Sequence, residues 1–136
     1  DFSVRMLEMA NRYQPKMKTI LADIRELEFP DEQFEAVTSI YCLFHIEHTK
    51  HGEIFRKIYR WLKPGGMAFF TYATREYTGE DIFNGYKEFM GERLFYSHAT
   101  PEMLTATLKS TGFRIVSAQY RDIGGETFLW LTIAKP

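Results

Sequence analysis

The sequence predicts an α/β fold built on an open, mostly parallel sheet. An apolar run, a segment with helical periodicity and a second apolar run follow one another at Glu35–Leu43, Thr49–Leu62 and Met67–Tyr72. This order is typical of a βαβ unit, whose strands are parallel and covered on both faces. Lys63-Pro64-Gly65-Gly66 ends the helix, because proline cannot continue it and glycine allows positive φ. In such sheets ligands bind at the carboxyl ends of the strands.

Two elements are predicted before this unit. Ser3 is a good N-cap for a helix that the apolar spacing extends to about Gln14. The run Thr19–Ala22 is predicted to be a short strand that ends at Asp23, and Pro30-Asp31 marks the turn before the next strand. The acids Asp1 and Asp23 therefore border predicted elements.

A lid is predicted at about residues 75–99. Periodicity is weak there, and a connection of this length is usually functional or partly helical. Aromatic residues are frequent in it, and they either stack on a flat or apolar ligand or cap the core. They are Tyr77, Phe83, Tyr86, Phe89, Phe95 and Tyr96.

The end of the chain predicts a helix and an antiparallel pair of strands. Thr100 as N-cap and proline at the next position predict a helix from Pro101 to about Ser110. The strands are predicted at Phe113–Tyr120 and Thr127–Ala134, joined by a glycine turn. The sheet should therefore end in an antiparallel edge hairpin.

Composition excludes several classes of protein. The chain has 136 residues, 45% hydrophobic and 26% charged, which fits one globular domain. A net charge of -1 gives no attraction to nucleic acid. No apolar run approaches the ~18 residues of a membrane span, and no leader is evident. The single Cys42 is expected to be a core residue, and the absence of a disulfide framework favours a reducing, cytoplasmic location.

Several blocks of residues occur in the order of a known family. They are Asp1-Phe2-Ser3, Ala22-Asp23-Ile24, Phe29-Pro30-Asp31, Phe34-Glu35-Ala36-Val37, Leu43 with His45-Ile46, Leu62-Lys63-Pro64-Gly65-Gly66 and Gly112-Phe113. With these blocks the chain resembles the class I S-adenosylmethionine-dependent methyltransferases, in the small-molecule branch that includes the ubiquinone and menaquinone methyltransferases. The resemblance implies a Rossmann-like methyltransferase sheet and S-adenosylmethionine as cofactor.

The resemblance also implies the cofactor-binding residues. Asp1, with Phe2 beside it, matches the acid that accepts hydrogen bonds from the ribose hydroxyls, a task for a carboxylate. Asp23 and Ile24 match the pair beside the adenine. The alternatives are that Asp1 is a frayed terminal acid and that Asp23 caps a turn.

The resemblance implies two further cofactor-binding residues, at the end of the strand predicted at 35–43. Ile40 and Tyr41 match the end of the strand that lines the methionine half of the cofactor. As plain core residues they are equally well explained.

His45 is the candidate catalytic base, because it lies on the loop that leaves this strand and methyl transfer needs an oriented nucleophile and often a base. It is also explained as a structural cap. His45, His48 and His51 with Glu47 also suggest a metal site. Residues three apart point in different directions round a helix, and neither a cysteine ligand nor a residue to orient the ligands is evident, so no metal is predicted.

The chain departs from the family at its start. The glycine-rich loop after the family's first strand is not in this sequence, and neither are the first two strands, which lie between those predicted at 19–22 and 36–43. The chain is then part of a longer protein or joins another copy, since exposed strand edges invite pairing. We expect a homodimer.

Two functions follow from this comparison. The first is methyl transfer from S-adenosylmethionine to a small-molecule acceptor, in a longer or assembled protein. The alternative is a catalytically inactive, methyltransferase-like subunit for assembly or interaction. Without the glycine loop, the isolated chain is expected to bind the cofactor no more tightly than roughly millimolar.

Overall fold

The computed structural model describes all 136 residues. Its helices and strands are α1 (Val4–Tyr13), β1 (Phe34–Ser39), α2 (His51–Trp61), β2 (Leu62–Tyr72), α3 (Arg75–Thr78), β3 (Phe83–Phe89), β4 (Glu92–His98), α4 (Pro101–Thr111), β5 (Arg114–Ile123) and β6 (Glu126–Ala134). Two short 3₁₀ turns, Leu43–His45 and His48–Lys50, lie between β1 and α2. None of the helices is long and apolar enough to cross a bilayer.

Four strands form the main sheet, in the order β1-β2-β6-β5. β1 and β2 are parallel, with Val37 opposite Ala68, and they enclose α2 as predicted. β2 pairs with β6, and β6 with β5, in antiparallel orientation. The α/β class and the antiparallel edge hairpin are therefore confirmed, and within this chain one of the three pairings is parallel.

The main core lies between one face of the sheet and the helices α2 and α4. Register places Phe70 opposite Leu131 on this face, and both are buried. The apolar residues predicted for the buried side of the central helix are all buried: Ile54, Phe55, Ile58, Trp61 and Leu62. Burial of this stripe fixes how α2 lies across the sheet and thus where its first residue, His51, is placed.

The termini of several elements follow the local signals. The Ser3 hydroxyl accepts the Met6 N–H at 3.3 Å at the start of α1. Thr100 caps α4 in the same way, accepting the Met103 N–H at 3.2 Å. Gly112 ends α4 with φ of 109°, in the left-handed region. These helix boundaries are confirmed.

The strand predicted at Thr19–Ala22 was wrong, because these residues form no strand. Two backbone hydrogen bonds tie this segment to Asp1 instead: Ala22 N–H donates to Asp1 O at 3.1 Å, and the Asp1 amine donates to Ile20 O at 3.3 Å. A ladder needs a neighbouring strand on at least one side, and no strand of this chain lies beside residues 19–22.

The boundaries of the central unit also differ from the prediction. β1 ends at Ser39, not Leu43, because Tyr41 has φ of 50° and turns the chain into the first 3₁₀ turn. Residues 63–66 belong to β2 as a bulge, since Leu62 pairs with Phe34 and Met67 with Ala36. At Gly66 a Cβ would lie 2.8 Å from the Lys63 carbonyl oxygen, so glycine permits the close approach inside this bulge.

The predicted lid region contains more structure than its weak periodicity indicated. It begins with α3 and continues as an antiparallel hairpin of β3 and β4, a two-stranded sheet of its own. The turn uses Met90 and Gly91, both with positive φ. Tyr96 of β4 is buried against Phe44 and Phe128, in a second hydrophobic cluster. The hairpin thus packs near the carboxyl end of β1.

Candidate functional site

Asp1 and Asp23 lie close together in the structure. The hydrogen bonds from Ala22 N–H to Asp1 O and from the Asp1 amine to Ile20 O place the first residue alongside the segment that leads into Asp23. The two acids are 22 positions apart in sequence. Backbone pairing therefore brings together the two carboxylates that the resemblance assigns to the cofactor.

Cys42 follows the end of β1 and is partly buried. Burial raises the pKa of the Cys42 thiol, and a hydrogen bond with Ser39 acts in the opposite direction. The positive charge of the Asp1 amine lowers the same pKa and the Asp23 carboxylate raises it. The raised pKa keeps the thiol protonated and unsuited to nucleophilic catalysis.

Asp1 has one carboxylate oxygen in use and one available. Oδ1 accepts the Ser3 N–H at 2.8 Å, so the side chain helps to begin α1. Oδ2 has no hydrogen-bond partner within the chain, and Asp1 is exposed. The capping explanation and the binding explanation are therefore compatible, because a carboxylate offers two oxygens.

Asp23 is occupied by Arg25. The Arg25 guanidinium lies 2.6 Å from Asp23 Oδ2, and the Arg25 N–H donates to Oδ1 at 2.8 Å. The hydrogen bond from the Arg25 side chain, followed by the backbone hydrogen bond and the charge of Arg25, lowers the pKa of Asp23 against an opposing effect of burial. Asp23 thus caps its own turn, as the alternative explanation expected, and is charged at neutral pH.

The backbone at Ile24 carries a donor with no partner. The Ile24 N–H donates to no acceptor within the chain, while the Ile24 side chain packs against the main core. A backbone N–H held in place beside a carboxylate can pair with an acceptor and a donor on one heterocycle edge. This fits the adenine-binding role that the resemblance gives to the Asp23-Ile24 pair.

Ile40 and Tyr41 are at the strand end and half-exposed, with 40% and 42% of their surfaces open to solvent. They are therefore not plain core residues. The Tyr41 N–H donates to Thr71 Oγ1 at 2.7 Å, which fixes the turn that follows β1. The Tyr41 ring packs edge-on against Phe128. Phe2, by contrast, is 77% exposed.

His45 is exposed on the first 3₁₀ turn and is held in one tautomer. Its Nδ1 lies 2.8 Å from the Phe95 carbonyl oxygen. A carbonyl only accepts, so Nδ1 carries the proton and Nε2 has a free lone pair. The ring lies 4.8 Å from the rings of both Phe44 and Tyr96. The arrangement suits a proton acceptor, and it is equally compatible with a structural cap on the Phe95 carbonyl.

The neighbouring histidines have other partners. His48 Nδ1 lies 2.9 Å from Ser97 Oγ, and the same hydroxyl accepts the His48 N–H at 2.8 Å. His51 is buried and its ring nitrogens contact Tyr72 and two backbone carbonyls. The three imidazoles therefore do not converge on one point.

Three of the six aromatic residues of the lid region, Tyr77, Phe83 and Tyr96, lie in or against the second hydrophobic cluster. Phe44 stacks between Tyr96 and Phe128, with ring centroids 5.6 and 5.0 Å away. The Tyr77 hydroxyl donates to the Tyr96 hydroxyl at 3.1 Å. Burial is the main reason that the pKa of Tyr77 is raised. These rings cap the core, whereas Tyr86 remains exposed.

Sequence reasoning did not identify the residues that fix His45 and Tyr41. These are Phe95, Thr71 and, through a buried network, Tyr72 and His51. Phe95 acts through its backbone carbonyl, which no side-chain pattern can reveal. Tyr72 had a signal, since a tyrosine at the carboxyl end of a buried strand needs a partner for its hydroxyl.

Residues 1–70 match the family described as a methyltransferase domain. The chain belongs to this methyltransferase domain family. The methyltransferase family that the resemblance predicted is therefore confirmed. Residues 1–70 include Asp1, Asp23, the end of β1 and His45, so the candidate site lies within the matched part.

Two curated relatives are similar in sequence. Phosphoethanolamine N-methyltransferase 3 from Arabidopsis thaliana is 31% identical over 126 residues, covering 89% of this chain and 24% of that protein. Demethylmenaquinone methyltransferase from Streptomyces griseus is 38% identical over 66 residues, covering 48% of this chain and 28% of that protein. The chain thus spans about a quarter of the length of each relative.

The fold is shared with solved methyltransferases. An S-adenosylmethionine dependent methyltransferase from Mesorhizobium loti superposes with a TM-score of 0.79 at 19% identity, covering 98% of this chain and 78% of that one. At this identity the likeness shows the fold. Membership of the methyltransferase domain family agrees with S-adenosylmethionine, the cofactor that the resemblance implies. The residues present fit it, given the open Asp1 oxygen and the free Ile24 N–H.

Proposed function

We propose that this site binds S-adenosylmethionine and that the protein transfers the cofactor's methyl group to a small-molecule acceptor. One observation carries the proposal. The backbone hydrogen bonds between Asp1 and residues 20–22 hold Asp1 beside the segment that leads into Asp23, which supports the assignment of both acids to one ligand. Ligands of open α/β sheets bind at the carboxyl ends of the strands.

The residues of the chain divide the binding task. Asp1, with Phe2 alongside, would accept hydrogen bonds from the ribose. Asp23 and the Ile24 N–H would hold the adenine, and Ile40 and Tyr41 would line the methionine half. When bound, the cofactor supplies an electrophilic methyl group on a sulfonium. His45 Nε2 accepts a proton from the acceptor, because its Nδ1 proton is committed to Phe95 O at 2.8 Å.

The acceptor is proposed to be small and to carry an amine or hydroxyl that loses a proton. The names of the two relatives give phosphoethanolamine and demethylmenaquinone as acceptors to test. Phosphoethanolamine is tested first, because its Arabidopsis enzyme matches 89% of the chain and the quinone enzyme 48%.

We further propose that the chain acts as a homodimer in the cytoplasm. β1 is an edge strand with no strand on its outer side, and the apolar Ile40, just after it, is exposed, as are Ile20 and Leu21 earlier in the chain. An unpaired edge beside apolar surface favours pairing with a second copy. Light scattering of the purified protein should show twice the monomer mass, and a stable monomer at high protein concentration would rule the dimer out. A single free cysteine fits a reducing compartment.

Two measurements test the proposed function. The first is a calorimetric titration with S-adenosylmethionine and its demethylated product, and the second is a radiolabelled methyl-transfer assay with phosphoethanolamine and with a demethylmenaquinone in its reduced, hydroquinone form. Saturable binding with turnover of either acceptor supports it. Saturable binding without turnover of any small molecule would favour a role in assembly, the alternative function. Absence of binding at ~10 mM cofactor, in the protein with all of its native residues, would overturn the proposal.

A further inference from the structure

A buried hydrogen-bond network surrounds His51, the first residue of α2. His51 is 3% exposed, and its Nε2 lies 2.8 Å from both the Leu43 and the Ile46 carbonyl oxygens. Its Nδ1 lies 3.2 Å from the Tyr72 hydroxyl. That hydroxyl also accepts the Ala99 N–H at 3.1 Å. All polar atoms of this network therefore have a partner.

The partners fix the protonation of the ring. Two carbonyls face Nε2 and can only accept, so Nε2 carries the proton. Nδ1 then accepts the Tyr72 O–H, and the tyrosine oxygen accepts the Ala99 N–H. A neutral imidazole satisfies every group, which agrees with the direction in which burial shifts this histidine: burial lowers the pKa of His51.

The two carbonyls that His51 contacts flank His45. The turn Leu43–His45 has few hydrogen bonds of its own: His45 N–H donates to Cys42 O and Ile46 N–H to Leu43 O, both at 3.0 Å. Short 3₁₀ turns are weakly stabilised by their own hydrogen bonds. Burial of Leu43 and Phe44 anchors the side chains of this turn, and His51 adds hydrogen bonds from the buried core to its backbone carbonyls.

We propose that His51 is a positioning residue for His45, fixing the turn that presents the His45 ring at the carboxyl end of β1. This inference rests on the proposed function for its catalytic meaning. Tyr72, at the end of β2, completes this network, because its hydroxyl contacts both His51 and Ala99, the residue just after β4. One network thus holds the strand end and, through β4, the Phe95 carbonyl that orients His45.

The variants that test this inference differ in the hydrogen bonds they retain. His51→Leu removes every hydrogen bond to the turn, and a cavity of about 220 Å³ beside His51 and Leu104 gives room for the leucine side chain. His51→Gln retains an N–H donor and an oxygen acceptor. His98→Leu is the matched control: His98 is equally buried, but it contacts Thr78 Oγ1 and Ala99 O and not the turn.

Hydrogen exchange and imidazole nitrogen shifts, read by NMR, report the outcome without any methyl-transfer assay. We expect His51→Leu to speed exchange of the His45 and Ile46 amides roughly tenfold or more beyond any global change. The His45 ring should also lose its fixed Nδ1–H tautomer. His51→Gln should restore both, and His98→Leu should change neither.

Unchanged exchange and tautomer in His51→Leu would overturn the inference, and so would equal effects of His98→Leu. Failure of His51→Gln to restore either signal would also count against it. A protein without methyltransferase activity would refute the proposed function while leaving these structural readouts interpretable. If activity is found, His51→Leu should lower kcat about tenfold or more with cofactor affinity within roughly twofold, since the residue acts through His45.

Discussion

The Nδ1 atom of His45 lies 2.8 Å from the backbone carbonyl of Phe95, 50 residues further along the chain. This hydrogen bond joins the turn after β1 to the outer hairpin and decides which ring nitrogen can accept a proton. His45 and the hairpin beside it are thus joined in one structural unit. Five experiments follow from this arrangement and its neighbours.

Replacing His45 should separate catalysis from cofactor binding. His45→Gln removes the Nε2 lone pair, and we expect kcat to fall by roughly 100-fold or more, the usual contribution of a general base. Cofactor affinity should not change, because the residues assigned to the cofactor are untouched. His48→Gln is the control, since His48 contacts Ser97 and should retain activity. An unchanged kcat in His45→Gln would exclude it as the base.

Removing the Tyr72 hydroxyl should destabilise the protein. Tyr72→Phe leaves the buried Ala99 N–H without an acceptor, which costs about 1–3 kcal/mol. Tyr13→Phe is the matched control, because Tyr13 is 71% exposed and its hydroxyl has no hydrogen-bond partner. Chemical denaturation measures both variants. Equal stability of the Tyr72→Phe variant and the parent chain would show that water replaces the lost hydroxyl.

Stability should decrease as the pH falls below about 6.5, the ordinary pKa of histidine. Burial lowers the pKa of both His51 and His98, so the unfolded chain binds more protons in this range and is favoured. The titratable groups facing them are His48 and Tyr72, with Glu80 and Lys87 near His98. The contribution of His51 and His98 to the free energy of unfolding is fully present above pH 6.5 and is lost as the pH falls.

Denaturant unfolding at pH 7.5 and pH 5.5 checks the sign of this effect. The double variant His51→Gln with His98→Gln should show a smaller loss of unfolding free energy between the two pH values. A loss as large as that of the parent chain would assign the acid sensitivity to other groups.

Much of this fold was accessible from the sequence, because local and tertiary signals agree there. The apolar stripe of α2, the Thr100 cap and the glycine turn at Gly124-Gly125 each depend on a few adjacent residues, and each was confirmed. The strand predicted at 19–22 failed because a strand depends on its neighbour. The β3–β4 hairpin was missed because Gly85 and Lys87 interrupt the apolar alternation of β3.

The residues proposed for the candidate site were named from the sequence, but the hydrogen bonds that join them were not. Asp1, Asp23 and the strand end could be located from ordered blocks of sequence. Their backbone pairing could not, because it joins carbonyl and amide groups that every residue has. The same holds for the Phe95 carbonyl that orients His45 and for the two carbonyls bound by His51.

Arg25 competes for the carboxylate that is assigned to the adenine. Its guanidinium contacts both oxygens of Asp23. Arg25→Ala should free these oxygens. Where further residues or a second copy close the site, we expect titration with S-adenosylmethionine to show a fewfold tighter binding. Arg5→Ala on α1 serves as the control for the loss of one positive charge, because Arg5 forms no salt bridge with Asp23. Weaker binding in Arg25→Ala would instead show that Arg25 holds Asp23 in the binding orientation.

The final prediction concerns Asp1 and the openness of the site. The outer edge of β1 carries no strand in this chain, so a cofactor at the strand end would be covered on one side only. Because an enclosed pocket normally buries most of its ligand, we expect the dissociation constant of the 136-residue chain to be no better than roughly millimolar. At that affinity the loss of one hydrogen-bonding group is too small to measure.

Where further residues or a second copy close the site, Asp1→Ala should weaken cofactor binding by about 1.5–3 kcal/mol, the contribution of hydrogen bonds to a charged group, or roughly 10- to 150-fold. Asp31→Ala is the control, because Asp31 is an exposed acid at the opposite, amino end of β1. Titration with S-adenosylmethionine and its demethylated product measures both variants. A micromolar dissociation constant for the 136-residue chain would show that its own backbone already encloses the cofactor, and the argument from the open edge of β1 would then be wrong.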